Sequence, residues 1–248
     1  MSKDQIVAAT DSFAIQPHQL DRIASLIVEN VGEGGITVND LDRIKVPAGG
    51  GLFWEIPNAD GDVDAVKELH CIVIGKRTVR AYWKSEPNAG SAGTPPDCAS
   101  NDGKTGMART EDGPGGTCST CQLNQFASAK GGSGRGKACK ERNLLMVLMQ
   151  GSKLPVVISV PPGSLGEVRK QFLRLAGEDL RYMEVVHKLT LIPAQNQDGI
   201  KYAKVVPKKV RILNDDERKS ISDYAAAIMP VFNQITIDDL SQDEDDEV

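Results

Sequence analysis

Apolar residues first recur at helical spacing near the N-terminus. Leu20, Ile23, Ala24, Ile27, Val28 and Val31 follow a 3.6-residue period, and Gly32, Gly34 and Gly35 end it. Thr37 or Asn39 is placed to cap a short turn holding Leu41 and Ile44, and residues 1–46 read as a helical extension outside the main core. Pro47-Ala48-Gly49-Gly50-Gly51 is a connector, and residues 52–57 read as a strand. The β-branched run at 69–74 and the alternation at 78–84 read as two strands of a hairpin turning at Gly75-Lys76. In the second strand Val79, Ala81 and Trp83 alternate with Arg80, Tyr82 and Lys84, the first set read as inward and the second as outward, although the alternation alone also fits the reverse.

Residues 85–138 are rich in Gly, Ser, Pro, Asn and Asp, and so read as a long loop that needs a physical reason to exist. The apolar runs at 144–149 and 156–160 read as buried strands. Ser164-Leu165-Gly166-Glu167 has the capping-box pattern, and Leu165, Val168, Phe172, Leu173 and Leu175 then give a helix ending near Gly177. Strands are expected over 185–192 and 200–206, with 210–213 continuing the last one, and a helix over 215–229.

The core therefore reads strand, strand, insertion, strand, helix, strand, strand. That order, shared by other α+β sheets, is expected to give a mainly β fold with α, an OB-fold-like small barrel with a stapled loop insertion and peripheral helices. The domain expectation is an extension over 1–46, a core over 47–214 that includes the insertion 95–140, and a helix plus disordered acidic tail over 215–248.

Composition sharpens this picture. The 248-residue chain is 40% hydrophobic, enough for a sizeable core, yet only 4% aromatic, so the position of each ring is informative. No apolar run has the length of a membrane span. The N-terminus has no signal-peptide pattern, so the expected location is the cytoplasm. The net charge of −5 is unevenly distributed. Residues 130–219 carry 18 Lys and Arg against 9 Asp and Glu, whereas 220–248 carry 8 acids and no base. A basic body with an acidic tail is compatible with a nucleic-acid partner despite the net sign.

Four of the five cysteines, Cys98, Cys118, Cys121 and Cys139, fall in or beside the polar loop. Cys-x2-Cys lets one tight turn present two thiolates, and four soft ligands suit one structural Zn2+. The metal would fold a segment too polar to fold by apolar burial. Four cysteines also suit an iron–sulfur cluster, whereas Cys71, inside a strand, reads as a core thiol. His18, His70 and His187 form no catalytic motif, and no catalytic residue is identified. Asp97 and Asp102 read as turn residues. The stretch from Gly131 to Ala138 partly fits a phosphate-binding loop, but Ala138 stands where Ser or Thr would hold Mg2+. It reads better as a basic loop offering Lys130, Arg135, Lys137 and Lys140, together with Arg142, to phosphates.

A single-strand binder needs cations along a groove and rings to stack bases. Lys76, Arg77, Arg80, Tyr82, Trp83 and Lys84 supply both along one stretch, and Lys201, Tyr202 and Lys204 supply a second set. Phe53, Trp54, Phe126 and Tyr182 are further candidate rings. Seven of the last eleven residues are acidic; the tail reads either as a solubilising segment or as a DNA mimic expected to compete for the basic surface and recruit partner proteins.

The strand order, cysteine insertion and acidic tail together resemble the phage single-stranded DNA-binding, helix-destabilising proteins. The resemblance implies a non-enzymatic protein that coats single-stranded DNA in replication or recombination. It makes Cys98, Cys118, Cys121 and Cys139 structural metal ligands. It departs in detail, because that family has a His among its ligands and this chain has four Cys. Leu41-Asp42-Arg43-Ile44-Lys45-Val46-Pro47, Arg80-Ala81-Tyr82-Trp83, Pro95-Pro96-Asp97-Cys98 and Gly136-Lys137-Ala138-Cys139-Lys140 also look like phrases of a group of phage and mobile-element proteins. Two other functions fit the residues. One is a zinc-containing transcription or recombination regulator that binds protein or duplex DNA, and the other is an iron–sulfur nuclease.

Overall fold

A computed structural model describes residues 17–37, 40–58, 60–84, 95–129, 136–196 and 199–236. The strands are β1 (Arg43–Ile44), β2 (Trp54–Pro57), β3 (Val63–Val66), β4 (Glu68–Tyr82), β5 (Cys98–Ser100), β6 (Thr105–Ala108), β7 (Gly116–Thr117), β8 (Lys140–Met149), β9 (Val156–Val160), β10 (Val185–Gln195) and β11 (Lys201–Ile212). The helices are α1 (Pro17–Val31), α2 (Leu165–Gly177) and α3 (Asp215–Gln234). The fold is mainly β with α, as the periodicity implies. None of the described helices is long and apolar enough to cross a membrane. The acidic tail (238–248), Lys130, Arg135 and most of the glycine-rich stretch lie outside the described residues.

The chain divides into two units, Met1–Lys76 with Leu145–Gln234, and Arg77–Leu144 with Ile235–Val248. In the first, the strands run β1-β9-β8-β4, with β10 on β4 and β11 on β10. Taken in chain order, β4, β8, β9, α2, β10 and β11 reproduce the strand and helix sequence of an OB fold. They also make its pairings of strand one with two, two with three, one with four, and four with five. The third strand, β9, pairs in parallel with β1, Arg43 opposite Val157 and Ile44 opposite Ile158. Ile44 is 1% exposed within the core, so 41–46 is not the peripheral turn that its short apolar pattern suggests. Around it pack Trp54, Leu69, Val73, Leu145, Ile158 and Val205. The Trp54 indole N–H donates to the Leu189 carbonyl at 3.2 Å, which satisfies its polar edge inside that core.

The hairpin expected at Gly75-Lys76 is absent. Residues 68–82 form one continuous 15-residue strand. Gly75 serves close packing: a Cβ there would lie 3.2 Å from the Met229 methyl and from the Phe232 ring. The true hairpin is earlier, where β2 pairs with β3 from Trp54 opposite Val66 to Pro57 opposite Val63. Its turn is shaped by Asn58, whose side-chain oxygen accepts the Asp60 and Asp62 N–H groups, and by Gly61 at φ 84°.

The capping boxes also differ from expectation. Ser164 makes no side-chain cap bond to α2; its hydroxyl accepts the Val205 N–H at 2.9 Å and fixes β11 instead. A reciprocal box forms at α3, where Asn214 accepts the Glu217 N–H at 2.9 Å and Glu217 accepts the Asn214 N–H at 3.0 Å. Arg211 pairs with buried Glu217 at 2.7 Å and completes that site. α3 runs to Gln234, past the break expected before Pro230, because Phe232 is buried beyond it. On α2, Leu173 is 58% exposed, outside the buried stripe of Val168, Gln171 and Leu175.

Gly75→Ala separates a packing role from a turn role. The added methyl meets a buried ring, so a loss of about 1–3 kcal/mol is expected in urea unfolding, with an unchanged slope. A neutral substitution would contradict the assigned packing.

Candidate metal centre and nucleic-acid surface

The second unit has few apolar residues. Val79, Ala81, Ala99, Cys118, Leu144 and Ile235 are its buried apolar residues among those described. It is nonetheless more ordered than the long loop its composition suggests. β5 pairs with the end of β4, Arg80 opposite Ser100 and Tyr82 opposite Cys98. β6 pairs with β5, and β7 with β6. Asp102 accepts the Thr105 and Lys104 N–H groups and the Ser100 hydroxyl, and these bonds pull its carboxyl down to about 2. Asp97 accepts the Lys84 N–H and the Thr110 hydroxyl, each at 2.7 Å, and is likewise held below the usual carboxylate range. Asp102 is a turn residue, as its sequence setting implies, whereas Asp97 bridges segments, its bonds reaching Lys84 and Thr110, each 13 positions away.

These turns carry the cysteines. Cys98 lies on β5, Cys118 follows β7, Cys121 precedes a 3-10 turn over Gln122–Asn124, and Cys139 immediately precedes β8. The Cys118 N–H donates to the Lys104 carbonyl at 2.8 Å, and the Cys139 N–H to the Leu123 carbonyl at 2.9 Å. All four cysteines line one cavity, with Arg80, Tyr82 and Asn124 in its wall. The backbone passes so close that a Cβ on Gly106 would come within 3.0 Å of the Cys98 sulfur. Burial raises the Cys98 thiol and pushes Cys139 up to about 12, and in both cases the neighbouring thiols add to the rise.

All five cysteines are free thiols. Among the described residues, no three His, Cys, Asp or Glu side chains already stand as a coordination sphere. The fit to a metal therefore rests on the donor chemistry. Four soft donors share one cavity, and a divalent cation would displace the protons that burial otherwise favours. Cys71 is separate, fully buried on β4 with its thiol pushed up to about 12 by burial, as expected of a core residue.

Arg80, expected as an outward-facing phosphate contact, is instead the internal junction of this unit. Its Nη2 pairs with Glu141 at 2.6 Å, its Nη1 donates to Asn124 Oδ1 at 2.6 Å, and its Nε donates to the Gly103 carbonyl at 3.0 Å. One guanidinium thus joins β4, the turn before β6, the 3-10 turn and β8. Arg77 donates to the Ile235 carbonyl, and Lys84 pairs with Asp112 at 2.6 Å. Tyr82 and Trp83 are half-buried.

Lys137 lies with its ammonium 4.9 Å from the centroid of the Phe126 ring and donates to Asn124 at 3.2 Å. Phe126 is 71% exposed. Lys140 is also exposed.

The remaining candidates lie in the first unit. Lys76 sits 5.7 Å from the Phe172 ring centroid. Lys201 is exposed, and Lys204 pairs with Glu167 at 2.9 Å. Tyr202 is half-buried against Gly163, where a Cβ would come within 2.7 Å of the ring. Trp54 is core, and Phe53 is 49% exposed beside Lys67. His187 is buried with Nε2 2.7 Å from the Tyr182 carbonyl, a structural setting. Sequence reasoning missed Asn124 and Glu141. A lone Asn and a lone Glu in polar surroundings carry no spacing signal.

Comparison with family models, with curated proteins and with solved structures finds no match to the chain.

Arg80→Leu leaves Glu141 without its cation and Asn124 with Lys137 as its one remaining cation. A loss of about 2–4 kcal/mol is expected on chemical unfolding, with earlier proteolysis between residues 95 and 140 than in the wild type. Unchanged stability and cleavage would show that the junction contributes nothing.

Proposed function

We propose that the chain is a sequence-tolerant single-stranded DNA-binding protein of phage replication or recombination, whose cysteine unit is held by one structural zinc ion. The observation that carries this reading is the position of a cation–aromatic pair, exposed Phe126 and half-buried Lys137, on the insertion between the first and second strands of an OB-like core. In OB folds that connection, and the one between strands four and five, bind oligonucleotides. Here the latter is the turn joining β10 to β11 beside Lys201.

Cys98, Cys118, Cys121 and Cys139 would hold the metal, with no open position for chemistry. Bound there, zinc supplies a closed tetrahedral anchor that keeps the Cys-x2-Cys turn in place. Phe126 offers a ring face on which a base of any identity stacks, and Lys137 supplies charge for the adjoining phosphate. No covalent step is involved, so the reading is of a binding protein. The acidic residues 238–248 compete with DNA for the basic surface and recruit replication or recombination proteins.

A regulator that docks on another protein is favoured by one feature, the exposed Leu26, Val28 and Val31 of α1. Preference for duplex over single strands would select that reading.

Fluorescence anisotropy with matched single-stranded and duplex oligonucleotides across a salt series tests the proposal. Single-strand preference is expected, with affinity falling about tenfold in Phe126→Ala, the value of one stacked base. The salt slope should fall by about one in Lys137→Ala. A chain ending at Thr236 should bind more tightly at low salt. No binding at low salt by zinc-loaded protein would overturn the proposal.

A further inference from the structure

We propose that Asn124 is a positioning residue that couples the four-cysteine cavity to the Phe126–Lys137 pair. The inference rests on the DNA-binding reading only where it concerns affinity. Asn124 is 8% exposed and every polar atom of its side chain is engaged. Its Nδ2 donates to the Cys118 carbonyl at 2.7 Å, and its backbone N–H donates to the Cys121 carbonyl at 3.1 Å. The residue therefore grips both ends of the Cys-x2-Cys turn. Its Oδ1 accepts from two cations, Arg80 at 2.6 Å and Lys137 at 3.2 Å.

Two cations converging on one oxygen repel each other, so the arrangement needs compensation. Glu141 supplies it for Arg80, at 2.6 Å on the far side of the guanidinium. For Lys137 the compensation is the Asn124 oxygen itself and the Phe126 ring face, 4.9 Å away. If the cysteine turn shifts, Asn124 shifts with it, and Lys137 loses its acceptor while Arg80 keeps Glu141. Lys137 then moves away and no longer lies over the ring. Occupancy of the thiols is thereby transmitted to the contact surface through one carboxamide.

Two substitutions divide the residue's roles. Asn124→Ala removes all side-chain bonds. Asn124→Asp keeps an acceptor for both cations and loses the donor to the Cys118 carbonyl. The full-length, zinc-loaded protein is labelled with limiting acetic anhydride, and the rate at Lys137 is read by mass spectrometry against exposed Lys104 and Lys140. A chromophoric chelator reports zinc release in parallel.

Lys137 in the wild type should react about tenfold more slowly than the two reference lysines, the value of a hydrogen bond to a charged group. Chelation and Asn124→Ala should each abolish that protection. Asn124→Asp should keep the protection while zinc leaves several-fold faster than from the wild type. Protection that survives chelation, or that survives in Asn124→Ala with zinc retained, would overturn the coupling. Should Asn124→Ala fail to hold zinc, Asn124→Asp decides: a fast Lys137 in its zinc-bound form also overturns it. If the wild type binds no oligonucleotide, the DNA-binding reading fails alone, and the labelling result still decides the coupling.

Discussion

The second unit depends on one guanidinium. Arg80 reaches Glu141, Asn124 and the Gly103 carbonyl from a single strand position, at 2.6, 2.6 and 3.0 Å. A segment with so few buried apolar groups cannot draw its order from area removed from water. It draws it from directional bonds, and a planar donor with a fixed fork holds several acceptors at once where a lysine would not. The aspartates act in the same way on a smaller scale: Asp102 fixes the bend that leads into β6, and Asp97 ties Lys84 to Thr110. Thiol coordination would add the remaining constraint, because four donors from three separate places in the segment share one cavity.

The first unit is organised by different physics. Its core is a continuous apolar cluster drawn from β1, β2, β4, β8, β9, β10, β11 and α2. The pairings of an OB-like barrel place the whole cysteine segment in the connection between β4 and β8. In that architecture, function follows from variation in a connection while the core supplies support. The exposed Phe126 ring and the half-buried Lys137 lie in that connection.

The strands at 144–149 and 156–160 and helix α2 were legible in the sequence, because their apolar periods are long and uninterrupted. The continuity of β4 was not, because Gly75 reads locally as a turn and only the packing of Met229 and Phe232 explains it. The α3 cap was missed because Asn214-x-x-Glu217 lacks the Ser or Thr that drew attention to Ser164, whose hydroxyl is engaged by β11. The grouping of Cys98, Cys118, Cys121 and Cys139 around one cavity follows the spacing. The inward role of Arg80 does not, since alternation assigns a face but not a partner. Asn124 and Glu141 depend on contacts between segments far apart in the chain, which no local pattern encodes.

The central claim is that coordination by four thiolates, together with the Arg80 junction, folds this polar segment. X-ray absorption spectroscopy of the purified full-length protein, with metal content measured on the same sample, tests it most directly. The account predicts one zinc per chain with four sulfur neighbours at about 2.3 Å. Iron in place of zinc, fewer than four sulfur neighbours, or a folded protein with no stoichiometric metal would contradict it.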